Sequence, residues 1–90
     1  SDLCVAISII SSLINKNPIK DCAFIGELGL NGQVRQTNNM KSKVEESIRL
    51  GYKKMLIPHS NSEIVLKFKN TITLIEVENI KEAVNIALKS

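Results

Sequence analysis

Aromatic side chains are scarce in this sequence, which has two phenylalanines, one tyrosine and no tryptophan among its 90 residues. Proteins that bind single-stranded nucleic acid by stacking its bases need several aromatic rings on one surface. That mode of binding is therefore not expected here. The hydrophobic core has to be built from aliphatic side chains, of which the thirteen isoleucines supply a large part.

Metal-binding side chains are equally scarce. The two cysteines, Cys4 and Cys22, lack Cys-x-x-Cys spacing, and His59 is the single histidine. Structural zinc sites need four such ligands, so we expect no metal in this chain. Both cysteines have apolar neighbours, which predicts two buried, reduced thiols. His59 follows Pro58 in a predicted loop, where a lone histidine is expected to be structural.

Long hydrophobic runs are absent as well. No stretch reaches the roughly 18 consecutive apolar residues that a membrane-spanning helix needs. The apolar run from Leu3 to Ile14 is interrupted by three serines. It also lacks the basic leader and the small-residue cleavage site of a signal peptide. We expect no membrane partner, and the net charge of +3 permits a polyanionic partner without requiring one.

The spacing of the apolar residues predicts a mixed α/β fold in one domain, with a mixed sheet packed against helices. Ser1 or Asp2 is expected to cap the first helix, and Asn38 or Asn39 the second. Asn79, with Glu82 three residues later, is expected to cap the last. The predicted elements are helices at 2–15, 39–50 and 79–89, strands at 21–28, 53–58 and 71–77, a return strand at 33–36, and one or two helical turns within 61–69.

The glycine-rich stretch GELGLNGQVR, residues 26–35, admits two interpretations. A phosphate-binding loop would have to run directly into the N-terminus of a helix, and a Walker motif would end in Gly-Lys-Ser/Thr. Neither condition is met. Asn-Gly at 31–32 is instead a strong signal for a hairpin turn. The stretch therefore predicts strand, turn and return strand, with 21–28 as an inner strand because both of its faces are apolar.

The first helix is apolar around most of its circumference, and its polar strip is narrow. Such a helix is expected to be covered on two sides. The few predicted strands can cover one side well. We therefore expect a fragment whose first strands lie outside this sequence or in another chain.

Three blocks of the sequence resemble one family. DLCVAISIISS at 2–12, FIGELGLNGQVR at 24–35 and LGYKKMLIP at 50–58 are similar to the C-terminal Lon-protease-like domain of the RadA/Sms family of DNA recombination and repair ATPases. The glycine block is the best discriminator, through Gly26, Glu27, Gly29, Leu30, Gly32 and Arg35. The resemblance implies a Lon-protease-like, ribosomal-protein-S5-like fold, with residues 1–90 as the C-terminal part of such a domain.

The resemblance also implies a function. The expected role is that of a non-catalytic C-terminal scaffold that contributes to DNA binding and to assembly of a ring-like homo-oligomer. The fragment is expected to have no activity and no cofactor of its own. ATP, Mg and Zn are implied for upstream domains, since the full-length family is an ATPase. The implied location is the cytoplasm of a bacterium, or an organelle in a eukaryote.

The alternative function is that of a Ser/Lys peptidase domain of a Lon-type ATP-dependent protease. Such peptidases have a serine nucleophile, a small residue and a glycine just before the first helix. Asp2 stands at that glycine position, and the nucleophile falls at or just before residue 1, so Ser1 is at best adjacent to it. Lys43 stands at the position of the catalytic lysine, where RadA sequences often have arginine. Because Glu46 lies three residues after Lys43, it is expected to favour the charged amine, which opposes catalysis.

Basic residues remain as candidates for DNA contacts, with a solvated surface as the plain alternative. They come from neighbouring predicted elements and would act together if they share a face. These candidates are Arg35, Lys41, Lys43, Arg49, Lys53 and Lys54. Glu27 has no second carboxylate nearby in sequence for acid–base chemistry, and we expect it to accept hydrogen bonds from the turn that follows.

Overall fold

A computed structural model describes residues 2–88 and confirms a mixed α/β fold with four helices. Ser1, the proposed neighbour of the nucleophile position, and Lys89, the predicted end of the last helix, lie outside the described residues. The elements are α1 (Leu3–Ile14), β1 (Cys22–Phe24), β2 (Glu27–Leu28), β3 (Val34–Arg35), α2 (Met40–Arg49), β4 (Lys54–Pro58), α3 (Ser62–Phe68), β5 (Thr73–Val77) and α4 (Ile80–Ala87).

The strands form two separate sheets. β1, β4 and β5 make a parallel sheet in that order, whereas β2 and β3 form an antiparallel hairpin. In the parallel sheet, Lys54 of β4 lies between Cys22 of β1 and Thr73 of β5. The middle strand, β4, is buried from Met55 to Pro58. A continuous apolar strand of this kind is typical of a parallel sheet that is covered by helices on both faces.

The prediction of one inner strand over 21–28 is wrong. The chain leaves the parallel sheet after the Ile25 N–H donates to the Leu56 carbonyl at 2.9 Å. From Glu27 onward it pairs with β3, with Glu27 opposite Arg35. Gly26, between the two strands, turns its carbonyl to the Leu3 N–H at 2.9 Å. Within residues 2–88, β1 pairs with β4 alone and is an edge strand.

The predicted hairpin turn is confirmed, with a three-residue loop. The Gly32 N–H donates to the Gly29 carbonyl at 3.0 Å, and the Gly29 N–H donates to the Gln33 carbonyl at 2.8 Å. Gly32 is left-handed, with φ +82°. This is the common hairpin loop in which a tight turn is followed by a left-handed glycine. The glycine motif therefore builds a turn and no phosphate cradle.

The parallel sheet separates two hydrophobic clusters, because alternate residues of β4 face opposite sides. Leu56 faces α1 and α4, where Leu3, Ile7 and Ala83 are buried. The other cluster lies on the side of α2 and α3, and it contains Val44, Met55, Ile57, Phe68 and Ile72. Two helices therefore cover each face of a sheet of three strands.

Two of the predicted helix caps are confirmed. Asp2 caps α1 by accepting a hydrogen bond from the Val5 N–H at 3.2 Å. Asn79 caps α4 by accepting one from the Glu82 N–H at 2.9 Å. The Glu82 carboxylate reaches back to the Glu78 N–H at 2.7 Å, one residue before the expected capping-box partner.

The caps of α2 differ from expectation at one end. Asn39 precedes this helix in a left-handed conformation, but its side chain makes no capping hydrogen bond. At the other end, Gly51 is left-handed as predicted, with φ +94°. The N–H groups of Gly51 and Tyr52 donate to Ile48 and Ser47, which is the hydrogen-bond pattern of a Schellman motif.

α1 is buried on one side only. Leu3 and Ile7 are buried, whereas Ile9 and Leu13 are exposed. Cys4 is also exposed, so the prediction of a buried thiol is wrong there and correct for Cys22. The reason is that the described strands reach one face of α1. Among residues 2–88, no helix is long and apolar enough to cross a membrane.

Candidate functional site

A polar cleft of about 400 Å³ lies where the start of α1, the hairpin and the first half of α2 meet. Its wall includes both positions that the comparison with Lon peptidases singled out, Asp2 and Lys43. The remaining lining residues are Glu27, Gln36, Thr37 and Asn38. The sequence places these residues up to 41 positions apart, and the fold brings them together.

The backbone fixes the start of α1 against the hairpin. Asp2 forms an antiparallel bridge with Glu27, and the adjacent Leu3 N–H donates to the Gly26 carbonyl. The Asp2 carboxylate is occupied in capping α1. Asp2 therefore has a structural task at the position where Lon-type peptidases carry a glycine.

Lys43 is half-buried, and its Nζ donates a hydrogen bond to Thr37 Oγ1 at 2.9 Å. Thr37 belongs to the segment between β3 and α2, so this bond joins the helix to the chain that leads into it. Asp2 and Glu27 line the same cleft. In this polar cleft the Lys43 amine therefore has a threonine hydroxyl as its hydrogen-bond partner.

Glu46, three residues after Lys43, makes its contacts with another residue of α2. It binds Arg49, whose Nε donates to Glu46 Oε1 at 3.0 Å, and both side chains are exposed. The hydrogen bond from Arg49 lowers the pKa of Glu46, and the same bond raises the pKa of Arg49. The carboxylates that line the cleft around Lys43 therefore come from α1 and the hairpin, not from its own helix.

The six candidate DNA-binding cations do not share one face. β1, β4 and β5 begin at one end of the parallel sheet, the strand-start end, and finish at the other, the strand-finish end. Lys53 and Lys54 lie at the strand-start end, where both N–H groups donate to the Asp21 carbonyl, and Arg49 ends the helix that leads there. Arg35, Lys41 and Lys43 lie at the opposite end, in the hairpin and the first half of α2.

His59 lies at the strand-finish end and is half-exposed. Its Nδ1 is 3.2 Å from Ser60 Oγ and 3.9 Å from Glu78 Oε2. Both partners approach the same ring nitrogen, so they cannot form a serine–histidine–carboxylate relay, which uses both nitrogens. The His59 N–H and carbonyl join β5 and the hairpin, through Val77 and Gln36. The structural role predicted for His59 fits these contacts.

Among residues 2–88, no group of three or more His, Cys, Asp or Glu side chains could hold a metal ion. The buried Cys22 thiol is also a poor metal ligand or nucleophile. Burial raises its pKa to about 11, against smaller opposing effects of a backbone hydrogen bond and Lys54. Thiolate is the reactive form, so Cys22 is inert near neutral pH.

A protein-family model described as subunit ChlI of Mg-chelatase matches residues 1–61, which include the cleft. The chain belongs to this family. The matched part of the ChlI family domain runs from α1 to the end of β4 and so contains the hairpin and all of α2.

The chain is also homologous to DNA repair protein RadA of several bacteria. It is 40% identical to RadA of Bacillus subtilis over 87 residues, and 39% identical to that of Listeria monocytogenes, each match covering 97% of this chain. RadA of Chlamydia trachomatis is 34% identical over 96% of the chain. Each match covers 19% of the relative, so the chain spans about a fifth of the length of these proteins. The resemblance drawn from the three sequence blocks is confirmed.

Sequence reasoning missed Thr37, the residue of the cleft that binds Lys43. It lies six residues before Lys43, in a run of polar residues outside α2, so the periodicity of a single helix or strand does not predict the contact. The contact depends on how the chain turns from β3 into α2. Only the folded chain shows that this hydroxyl meets the Lys43 amine.

Proposed function

We propose that this chain is a non-catalytic C-terminal scaffold of a RadA-like DNA recombination and repair ATPase, and that it contributes to oligomer assembly and DNA binding. The homology to proteins named DNA repair protein RadA supports the repair role. The basic side chains support contact with DNA phosphates, which cations bind without reading sequence. The partly exposed apolar face of α1 supports a place within a larger assembly.

The main support for a non-catalytic role is the environment of Lys43. Its amine is bound to Thr37 in a polar, open cleft, and the Asp2 side chain is occupied in a helix cap. A lysine that acts as a general base needs a neutral amine, through burial away from water or a cationic neighbour. In this cleft the Lys43 amine instead donates a hydrogen bond to the Thr37 hydroxyl.

Deletion of residues 1–90 from the full-length protein tests the scaffold function. We expect the truncated protein to lose its ring-like homo-oligomer and to bind DNA at least about ten-fold more weakly, because several phosphate contacts are removed together. Sedimentation velocity and fluorescence anisotropy on duplex DNA measure the two effects. Unchanged assembly together with unchanged DNA affinity would contradict the proposal.

A Ser/Lys peptidase of the Lon type is the second candidate, because the cleft does bring Lys43 to the start of α1. We expect the full-length protein not to cleave an unstructured protein such as casein, and Lys43→Ala not to change that result. The matched control is Lys41→Ala, an exposed lysine in the same helix. Cleavage that disappears in Lys43→Ala and persists in Lys41→Ala would establish the peptidase and refute the scaffold.

The cofactors of the proposed ATPase belong to other parts of the protein. We place the binding of ATP, Mg and Zn in upstream domains, as the resemblance to the RadA/Sms family implies. The proposed location is the bacterial cytoplasm, where the DNA is, or an organelle if the source is eukaryotic. Each of these assignments rests on the family and not on a site in this chain.

A further inference from the structure

We propose that the DNA-contacting surface of this domain is the strand-start end of the parallel sheet, and that it holds the phosphate backbone of duplex DNA. This inference rests on the proposed function and adds the location and the form of DNA. The proposed surface includes lysines that were not among the candidates from the sequence, and it excludes Arg35, Lys41 and Lys43.

The charges of the described residues are separated along the strand direction. The strand-start end carries seven cations and three carboxylates, Asp21, Glu45 and Glu46, for a net +4. The cations are Lys16, Lys20, Arg49, Lys53, Lys54, Lys67 and Lys69, all exposed. Glu46 is already occupied by Arg49, so it neutralises none of the lysines.

The strand-finish end has the opposite balance. It carries six carboxylates and four cations, for a net −2. The carboxylates are Asp2, Glu27, Glu63, Glu76, Glu78 and Glu82. DNA is a dense polyanion, so it is attracted to the first end and repelled from the second. Arg35 and Lys43 lie among these carboxylates, which makes them weaker candidates than their charge alone suggests.

Backbone contacts hold the basic segments together at one end. The Asp21 carbonyl accepts hydrogen bonds from the Lys53 and Lys54 N–H groups at 2.9 and 3.1 Å, which fixes Lys20 beside them. The Lys53 carbonyl in turn accepts one from Thr73, which follows the loop that contains Lys69. The lysines therefore belong to a fixed surface rather than to separate loops.

The size of this end suits a nucleic-acid backbone. Three strands about 4.8 Å apart, with a helix layer about 10 Å away on each face, span roughly 20 Å or more. A DNA strand passes one phosphate about every 3.4 Å along its axis, so several phosphates can lie within reach. Tyr52 is the one aromatic residue on this surface, at 39% exposure, which favours backbone contact over base stacking.

Helix dipoles offer a competing reason for the lysines. All four helices end at the strand-start end, and a helix C-terminus carries a partial charge of about −0.5 that a lysine stabilises. If that were the whole explanation, removing lysines would lower stability and leave DNA affinity unchanged. The experiment therefore needs both readouts.

The test uses two double variants of the full-length protein with the same change in net charge. Lys20→Gln with Lys53→Gln removes two cations from the strand-start end, and Lys41→Gln with Lys81→Gln removes two exposed cations from the opposite end. We expect the first variant to bind duplex DNA roughly ten-fold more weakly near physiological salt. The slope of log affinity against log salt should fall by about 1.8, because each phosphate contact contributes about 0.9. The second variant should bind within two-fold of the unchanged protein.

Each outcome decides a separate point. Equal losses in the two variants, or no loss in the first, would overturn the assigned surface while leaving DNA binding by the domain intact. A preference for single-stranded over duplex DNA would overturn the assigned form. If the deletion of residues 1–90 leaves DNA affinity unchanged, the DNA-binding part of the proposed function itself fails. Thermal unfolding of both variants shows whether a lysine acts on a helix end instead.

Discussion

Replacing Leu56 with alanine is expected to lower the free energy of unfolding by about 3–4 kcal/mol, the largest effect of a single side chain in this fold. Leu56 lies in the middle strand and is fully buried between the sheet and the α1–α4 layer. Its removal leaves a cavity between elements that are held by the sheet hydrogen bonds and cannot collapse around it. For a domain of this size the melting temperature should fall by about 15 °C.

The matched control is Leu30→Ala. Leu30 lies at the tip of the hairpin loop and is fully exposed. The same atoms are removed without a cavity, so its effect should stay within about 0.5 kcal/mol. Urea unfolding followed by circular dichroism compares the two variants. Similar stabilities for both would mean that β4 is not the centre of the core.

Gly26→Ala is expected to destabilise the fold by about 2–3 kcal/mol, which is the second largest predicted effect. A Cβ at this position would lie 2.6 Å from Val34 Cγ1, and Val34 is itself buried. The backbone also has φ +158°, a conformation that side chains rarely adopt. The clash would push the hairpin away from the parallel sheet, so the cleft around Lys43 should open as well.

Gly51→Ala separates the effect of backbone strain from the effect of the contact with Val34. Gly51 is left-handed, with φ +94°, but a Cβ there meets no atom within 4 Å. It should therefore show backbone strain alone, about 1 kcal/mol. Thermal unfolding of both variants measures the difference. A Gly51 variant as unstable as the Gly26 variant would show that strain, and not the contact with Val34, makes Gly26 necessary.

Elements with local signals could be predicted from the sequence. The hairpin could be predicted because its turn depends only on neighbouring residues, with a left-handed glycine at position 32. Asp2 and Asn79 were recognisable as caps because a cap acts on the next three residues. The glycine block and the two flanking blocks also carried enough information to indicate the family.

The break at Gly26 could not be predicted in this way. Apolar residues run without interruption from Cys22 to Ile25, and no local pattern separates a long strand from two short ones. The break depends on Leu3, which is distant in sequence and whose N–H donates to the Gly26 carbonyl, and on Val34 of the return strand, which leaves no room for a side chain at position 26. Similarly, Cys4 is exposed because the strands reach one face of its helix only, which its apolar neighbours do not reveal.

The candidate sites show the same limit. The family resemblance singled out the positions of Asp2 and Lys43, and both line the cleft. The pairing of Lys43 with Thr37 rather than Glu46 depends on the path of the chain into α2. The six cations looked like one group in sequence, and the sheet places them at two ends because strands and helices alternate in direction.

The packing of α1 beside α4 has a consequence for synthesis. The two helices share one hydrophobic cluster. The Ile19 N–H donates to the Ala87 carbonyl at 2.8 Å, so a hydrogen bond joins the segment after α1 to the end of α4. α1 leaves the ribosome roughly seventy residues before its partner. At a synthesis rate of about 5–20 residues per second, the apolar surface of α1 stays without α4 for roughly 4–14 seconds. This time is long enough for a chaperone to bind the nascent chain.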